Sequence, residues 1–457
     1  MLLSSTFTIS IIVHFDKLRR CFLYQRFAYI RKMNYFCFKQ VLKLGTMTQK
    51  LRVVLVGLVV SLFSSTAFAQ RYPQAEWDYA KVILMHTPGE ELFDGVIHPY
   101  AGLFEYYFDV DKAAEEHRGY IEALELNGIK VHTIREVLNQ VPIDKLRTCA
   151  MSALTYDTSA LTDTAAVENE TYKLSIIDQM SRADLIRCML LRPTVKLYKT
   201  SNNTGVEAVY THSPLINLYF TRDQSITTPR GLIIAQMNST QRADETHIVA
   251  LCYEQLGMKP ILSIDGAGRL EGGDYLRGGT ISYIGCGMRT NLDAIEQIMR
   301  ADAFGHDTVA VVNDHKWWQM QMHLDTYFNI IDKDLCTLVE SRYLAKKGDP
   351  EWVTVDLYTR KPGEKKYTLS HREIPFIEFL KQRGFTIIPI KLEDELHYAN
   401  NFLTIAPRHI MAVGNQSKAL QRAFAKHGVK VEWIPLETLI KGYGAAHCMT
   451  QVIKACQ

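Results

Sequence analysis

Cysteine is sparse in this 457-residue chain. It holds nine in all, and the seven beyond residue 69 (Cys149, Cys188, Cys252, Cys286, Cys336, Cys448 and Cys456) are scattered, with no C-x-x-C pair and no zinc-type spacing. That excludes a disulfide-stapled scaffold and a structural zinc module. The odd count leaves at least one of the seven thiols unpaired within the chain. No run reaches the roughly 18 consecutive apolar residues of a membrane-spanning helix. Glycine (26) and proline (14) are too few for a collagen-like or low-complexity chain. A basic surface is missing too, despite a formal charge of +3. Residues 1–69 carry ten Lys/Arg and a single acid, Asp16, so of the 52 bases and 49 acids in the whole chain the remainder keeps 42 and 48, a net of −6. A nucleic-acid partner is therefore not expected. What is present, 47% hydrophobic and 22% charged residues, is the composition of a globular protein with a sizeable core.

The basic segment reads as an address. Met47 opens a short cationic stretch ending at Arg52, residues 53–63 are uncharged and apolar, and Ala67 and Ala69 form an A-x-A pattern. This is the pattern of a secretory signal over 47–69, with cleavage expected between Ala69 and Gln70. Eleven apolar residues span only about half a bilayer core, which disfavours an anchor. Residues 1–46 precede that signal without a globular pattern and read as a non-native upstream extension. The expected working protein is residues 70–457, exported to the periplasm or beyond, with no membrane contact in its mature form.

Strand and helix patterns alternate through 70–457. Strands are expected at 81–86, 129–133, 231–237, 308–312, 324–331, 385–390 and 430–434, and helices at 111–127, 245–256, 375–383 and 417–427. A hairpin over 275–284 turns at Gly278-Gly279. Each unit takes about 40–60 residues, the size of a small α/β repeat, although the units do not repeat in sequence. The rhythm breaks over 134–190, which is acidic and helical with no convincing strand; it reads as a helical insertion, with 158–171 as its loop.

Four motifs stand out: Phe220-Thr-Arg-Asp223, Glu271-Gly-Gly-Asp274, His323-Leu-Asp325 and Gly444-Ala-Ala-His447-Cys448. Singly, each has a plain structural reading. Glu-Gly-Gly-Asp is a tight turn if its glycines take positive φ, His-x-Asp on a strand is an ion pair on one face, and a cysteine near the terminus is a small buried hydrophobe. Together they say more. Asp223, Glu271 and His323 are spaced by 48 and 52 residues, about one unit each, so successive units could present them to a common centre. With Cys448 they supply a nucleophile, an acid/base and several carboxylates, a complete set for attack on a cationic carbon.

These motifs, in this order, resemble the arginine deiminase branch of the guanidino-group-modifying superfamily, from Leu92-Phe-Asp-Gly-Val-Ile97 to the C-terminal Cys448 motif. The resemblance implies an α/β fold, a five-bladed propeller of ββαβ units with an inserted helical domain. It implies Cys448 as nucleophile, His323 as general acid/base, Glu271 as the carboxylate beside it, and Asp223 and Asp325 as the carboxylates that grip the guanidinium. It assigns Asn217, Arg242 and Arg289 to a substrate α-carboxylate and places Phe220 and Gly442 against the substrate. The implied partner is a small molecule, L-arginine or a related guanidine, with no metal and no cofactor; a homo-oligomer is left open. The implied reaction converts the guanidinium to citrulline and ammonia through a covalent S-alkylthiouronium on Cys448. Two departures matter. Met288 stands where the family usually has an acid, and Gly442-Tyr443-Gly-Ala-Ala-His447-Cys448 replaces a Gly-Arg-Gly-Gly-Pro-Arg-Cys loop, putting Tyr443 where an arginine covers the substrate. Arginine within peptides, another guanidine-modifying reaction such as amidino transfer, and a secreted binding protein with a dead pocket remain alternatives.

Overall fold

The computed structural model describes residues 72–202 and 204–456, so the leader expected at 47–69 and the segment before it lie outside the described residues. The apolar run Tyr79–Met85 forms the middle strand of a three-stranded sheet. It pairs parallel with Lys130–Thr133 and antiparallel with Gln451–Cys456, the last described strand. This joins the two ends of the described chain and holds the Cys448 motif against Tyr79–Met85.

The same pairing recurs along the chain. Gly231–Ile234 lies antiparallel to Ser225–Thr228 and parallel to Leu262–Ser263. Ile281–Cys286 pairs antiparallel with Tyr275–Arg277 and parallel with Thr308–Asn313. Leu335–Val339 is flanked by Phe328–Asp332 and Thr386–Ile390, and His409–Val413 by Leu403–Ala406 and Lys430–Ile434, with the same polarity. Before each parallel strand runs a helix: Val110–Leu126, Glu245–Gln255, Leu292–Arg300, Phe376–Gln382 and Lys418–Lys426. A parallel partner needs such a crossover, whereas an antiparallel one needs only a turn. The hairpin expected over 275–284 is present, turning at Gly278 and Gly279.

Buried apolar side chains knit these sheets together. Phe328 meets Phe376 edge-on at 5.0 Å between ring centroids, and Ile83, Met85, Ala445, Ala446, Met449 and Val452 share one core cluster. Each such large side chain contributes roughly 1.5–3 kcal/mol by leaving water. The Cys448 loop is thus seated in packed hydrocarbon.

Two expectations need correction. The strand expected over 324–331 begins later: Leu324–Tyr327 is one helical turn, and only Phe328–Asp332 is strand. Asp274 Oδ1 captures the Leu324 amide at 2.9 Å, and Thr326 returns its amide and hydroxyl to the His323 carbonyl, which closes the turn. The region 134–190 is not free of strand. Between the helices Ile143–Ala153 and Asp163–Gln179 runs Thr155–Ala160, paired parallel with Pro193–Lys199, which pairs with Val206–His212. This strand is polar and largely exposed, so it lacks the apolar signature of its buried counterparts. Most of the loop expected at 158–171 is helix, started by Thr162, whose hydroxyl accepts the Ala165 amide.

Candidate active site

Glycine positions the first two motifs. Glu-Gly-Gly-Asp is a tight turn, closed by the Asp274 amide on the Glu271 carbonyl at 3.1 Å, but Gly272 and Gly273 do not have positive φ; these residues are glycine for lack of space. A Cβ on Gly272 would lie 2.0 Å from the Arg222 carbonyl oxygen, and one on Gly273 would lie 2.6 Å from His323 Nδ1. The Gly272 amide donates to the Asp223 carbonyl at 3.0 Å. Backbone contact therefore brings the Asp223 loop, Glu271 and the His323 ring to one place.

His323 precedes its helical turn in extended conformation. Its Nε2 donates to Glu271 Oε2 at 2.8 Å, while Nδ1 has no hydrogen-bond partner and stands 3.8 Å from Asp223 Oδ1. Burial works to neutralise the ring, but Asp223, Glu271 and Asp274 outweigh it and raise His323 to about 9. Glu271 is held down to about 2, where burial is overcome by His323, Arg289 and Arg242. The pair is an ion pair, with His323 cationic at neutral pH. Asp274, buried and one step behind, is pushed up to about 6 by burial.

Cys448 lies in the turn before Gln451–Cys456, 3% exposed. The Arg222 amide donates to its carbonyl at 3.0 Å, tying the Asp223 and Cys448 loops together. Asn401 supports the thiol from the far side: Nδ2 donates to Sγ at 3.1 Å, and Oδ1 accepts the amides of Ala445 and Cys448 at 3.0 and 3.1 Å. The thiol itself points to Asp325 Oδ2 at 3.6 Å. Burial, then Asp325 and Asp223, push the Cys448 thiol well above its ordinary range. An isolated thiolate is disfavoured here until positive charge enters.

Asp325 is fully buried. Its Oδ2 accepts from His447 Nδ1 at 2.6 Å, and its Oδ1 has no partner. Behind His447 stands Glu76, 3.8 Å from Nε2 and paired with Arg277 at 2.8 Å. Burial favours a neutral Glu76, but Arg277 and His447 override it and hold the carboxyl well below the usual carboxylate range. Asp223 is arranged likewise: Oδ2 accepts from Arg242 Nη1 at 2.9 Å, and Oδ1 is unpartnered.

These groups surround a narrow cleft. Asn217, Phe220, Asp223, Arg242, Arg289, His323, Gly442 and Cys448 line it, while Glu271 and Asp325 lie one layer deeper. The Asn217 side chain is turned to the Gly102 carbonyl at 3.1 Å. Gly442 admits no side chain, since a Cβ there would lie 2.0 Å from Tyr219 Oη. Leu103, Gln319 and Met322 also line the cleft without having been anticipated, and Tyr443, expected over the substrate, lines it in left-handed conformation at φ 64°. Asn401 was missed as well; it sits in a loop 47 residues from Cys448, with no local pattern to mark it. His447 lay inside a recognised motif, but nothing in the sequence gave it Asp325 as partner.

Donor atoms of Asp223, Glu271 and His323 lie within 4.8 Å of one another, close enough to share a cation. Arg242 Nη1 already sits 2.9 Å from Asp223 and 3.8 Å from Glu271, so a guanidinium of the protein neutralises the cluster. All seven described cysteines are free thiols.

Known proteins resemble this chain along most of its length. The sequence model of the arginine deiminase family matches residues 101–454. The arginine deiminase of Halobacterium salinarum is 25% identical, aligned over 83% of this chain and 96% of its own. That of Clostridium perfringens is 26% identical over 81% and 94%. Among solved structures, the N-terminal domain of ArgZ, an arginine dihydrolase of cyanobacteria, superposes with a TM-score of 0.50 at 15% identity, covering 82% of this chain and 98% of that one. AgrE superposes with a TM-score of 0.50 at 16% identity, over 82% and 39%. At such identity the two structures bear on the mixed α/β fold alone. The family match, spanning the site and nearly all the described sheets, is decisive: this chain belongs to the arginine deiminase family and is a hydrolase acting on amidine C–N bonds.

Proposed function

We propose that this hydrolase converts free L-arginine to citrulline and ammonia, with Cys448 as the covalent nucleophile. The observation that carries this reading is the meeting, at one buried cleft, of the Cys448 thiol, the cationic His323 imidazole and Asp223, with Asp325 directly behind them, both carboxylates having an unpartnered oxygen. A planar guanidinium offers N–H pairs to such oxygens, and charge-assisted bonds of this kind fix the carbon before Sγ. The thiol then loses its proton more easily, because the entering cation offsets Asp325 and Asp223, the charges that otherwise raise it.

Attack of Sγ on the guanidinium carbon forms a C–S bond. His323, cationic and with Nδ1 unpartnered, donates its proton to one nitrogen, which leaves as ammonia. An S-alkylthiouronium remains on Cys448. The neutral imidazole takes a proton from water, the resulting hydroxide adds to the same carbon, and the C–S bond breaks to release citrulline as the added hydroxyl gives its proton to the departing Cys448 thiolate. Glu271 holds Nε2 throughout, so the ring presents Nδ1. For the far end of the substrate, Arg289 lines the cleft with its Nε unpartnered and so offers charge to an α-carboxylate. We further infer that the five repeated sheet units stand as blades around this cleft.

The substrate assignment is tested by citrulline release from the full chain with free L-arginine, an N-acyl arginine amide and an arginine-containing peptide. Turnover of free arginine alone is expected; comparable turnover of the blocked substrates would overturn it and favour peptidyl arginine.

A further inference from the structure

A second, smaller cavity adjoins the substrate cleft at His323. Asp274, Cys286, Asp314, Gln321, Met322 and His323 line it, and it has room for about one water-sized molecule. Met322 and His323 also line the cleft, and they are the only lining residues the two spaces share.

Two buried polar atoms on its lining residues have no partner. Asp274 Oδ1 accepts the Leu324 amide at 2.9 Å, but Oδ2 accepts nothing, and His323 Nδ1 is likewise unpartnered. The other polar side chains that could compete are engaged. Asp314 accepts from Arg342 Nη1 at 2.9 Å and from Nη2 at 2.8 Å, and Gln321 accepts from Arg342 Nε at 2.9 Å and donates to Glu395. A buried carboxylate oxygen without a hydrogen bond is costly, so Asp274 Oδ2 marks a place for a donor. Burial pushes Asp274 up only to about 6, which leaves it ionised at neutral pH. The molecule that fits is no larger than water and brings N–H or O–H groups.

The reaction sets an order of departure. When the guanidinium C–N bond breaks, its electron pair stays on nitrogen and His323 supplies the proton. Ammonia is then free while the rest of the substrate is still bonded to Sγ and occupies the cleft. Ammonia is about the size of water and carries three N–H donors. We infer that the cavity beside His323 is the ammonia site of this enzyme, entered past Met322, with Asp274 Oδ2 accepting from the departing molecule. This rests on the guanidinium reading above and adds to it where the first product goes.

The test is isotope exchange. Ammonia returning from the cavity adds to the thiouronium carbon, gives a proton to the neutral His323 and expels the Cys448 thiolate, which re-forms arginine; water attacking the same carbon gives citrulline. The full chain is mixed with L-arginine and ammonium chloride carrying heavy nitrogen, and labelled arginine and citrulline are both quantified by mass spectrometry. The wild-type chain should label arginine as well as release citrulline. Asp274→Asn keeps an oxygen for the Leu324 amide but removes the acceptor from the cavity, and the ratio of labelled arginine to citrulline should fall about tenfold, as expected for one hydrogen bond to a charged group. Cys286→Leu, which fills the cavity from outside the catalytic set, should lower the ratio by a similar factor. Both fates use the same thiouronium and the same imidazole, so a merely structural defect would slow them together and leave the ratio where it was. An unchanged ratio in Asp274→Asn overturns the inference, and Cys286→Leu, with Asp274 in place, decides it in the same way if Asp274→Asn fails to fold. A wild-type chain that releases citrulline without labelling arginine also overturns it, while leaving the hydrolase reading intact. Release of no citrulline from L-arginine would overturn the substrate reading, and this inference with it.

Discussion

Replacing Glu271 by Gln leaves an oxygen to accept from His323 Nε2 and removes only the negative charge. In the wild-type site His323 is raised to about 9, with burial opposing and Asp223, Glu271 and Asp274 prevailing. Against an ordinary histidine near 6.5, that difference corresponds to about 3 kcal/mol favouring the imidazolium. Glu271 is the nearest of the three carboxylates to a ring nitrogen, at 2.8 Å against 3.8 Å for Asp223. It also offsets Arg242 and Arg289, at 3.8 and 3.7 Å, whose charges would otherwise bear on the ring. Its loss should therefore remove about 2 kcal/mol or more of that preference. His323 must be protonated to discharge ammonia, so activity is lost as pH rises through its pKa. The alkaline limb of kcat/KM for L-arginine should move from near pH 9 down to about pH 7.5 in Glu271→Gln. The assay is citrulline release from about pH 5 to about pH 10, with thermal unfolding confirming the fold. A limb left at the wild-type pH, with only its height reduced, would refute the reasoning, since it would mean that the limb does not report His323.

Two further substitutions probe how the backbone places these groups. Gly273→Ala puts a methyl 2.6–2.8 Å from the His323 ring; kcat should fall at least about tenfold with little change in the far-ultraviolet circular dichroism, and unchanged kcat would remove Gly273 from the account. Asn401→Ala strips the acceptor from the Ala445 and Cys448 amides and the donor from Sγ. It should cost about 2–4 kcal/mol in chemical denaturation and shift alkylation of Cys448 by iodoacetamide to higher pH, and an unshifted alkylation profile would show that Asn401 does not support the thiolate.

What was legible in the sequence is what short-range chemistry encodes. Phe220-Thr-Arg-Asp223, Glu271-Gly-Gly-Asp274 and Gly444-Ala-Ala-His447-Cys448 are contiguous and carry reactive side chains, and the helix at Val110–Leu126 and the hairpin at 275–284 declare themselves by periodicity and glycine. His323 and Asp325 were identified, but for a strand geometry that does not exist. The turn between them is set by Asp274, 50 residues away, which no local pattern records. The strand Thr155–Ala160 was missed because its side chains are polar and exposed. The supporting layer was least legible. Glu76 reaches Arg277 across 201 residues of sequence, and His447 reaches Asp325 across 122. Such partners are chosen by the fold, which buries their charges and leaves them only each other.

The central claim is that Cys448 bonds to the guanidinium carbon. Mixing the full chain with L-arginine, quenching in acid within the turnover time and weighing the Cys448 peptide tests it directly. The account predicts a peptide heavier by arginine less ammonia, absent in Cys448→Ser, which should also release no citrulline. Citrulline released by Cys448→Ser at the wild-type rate would contradict it.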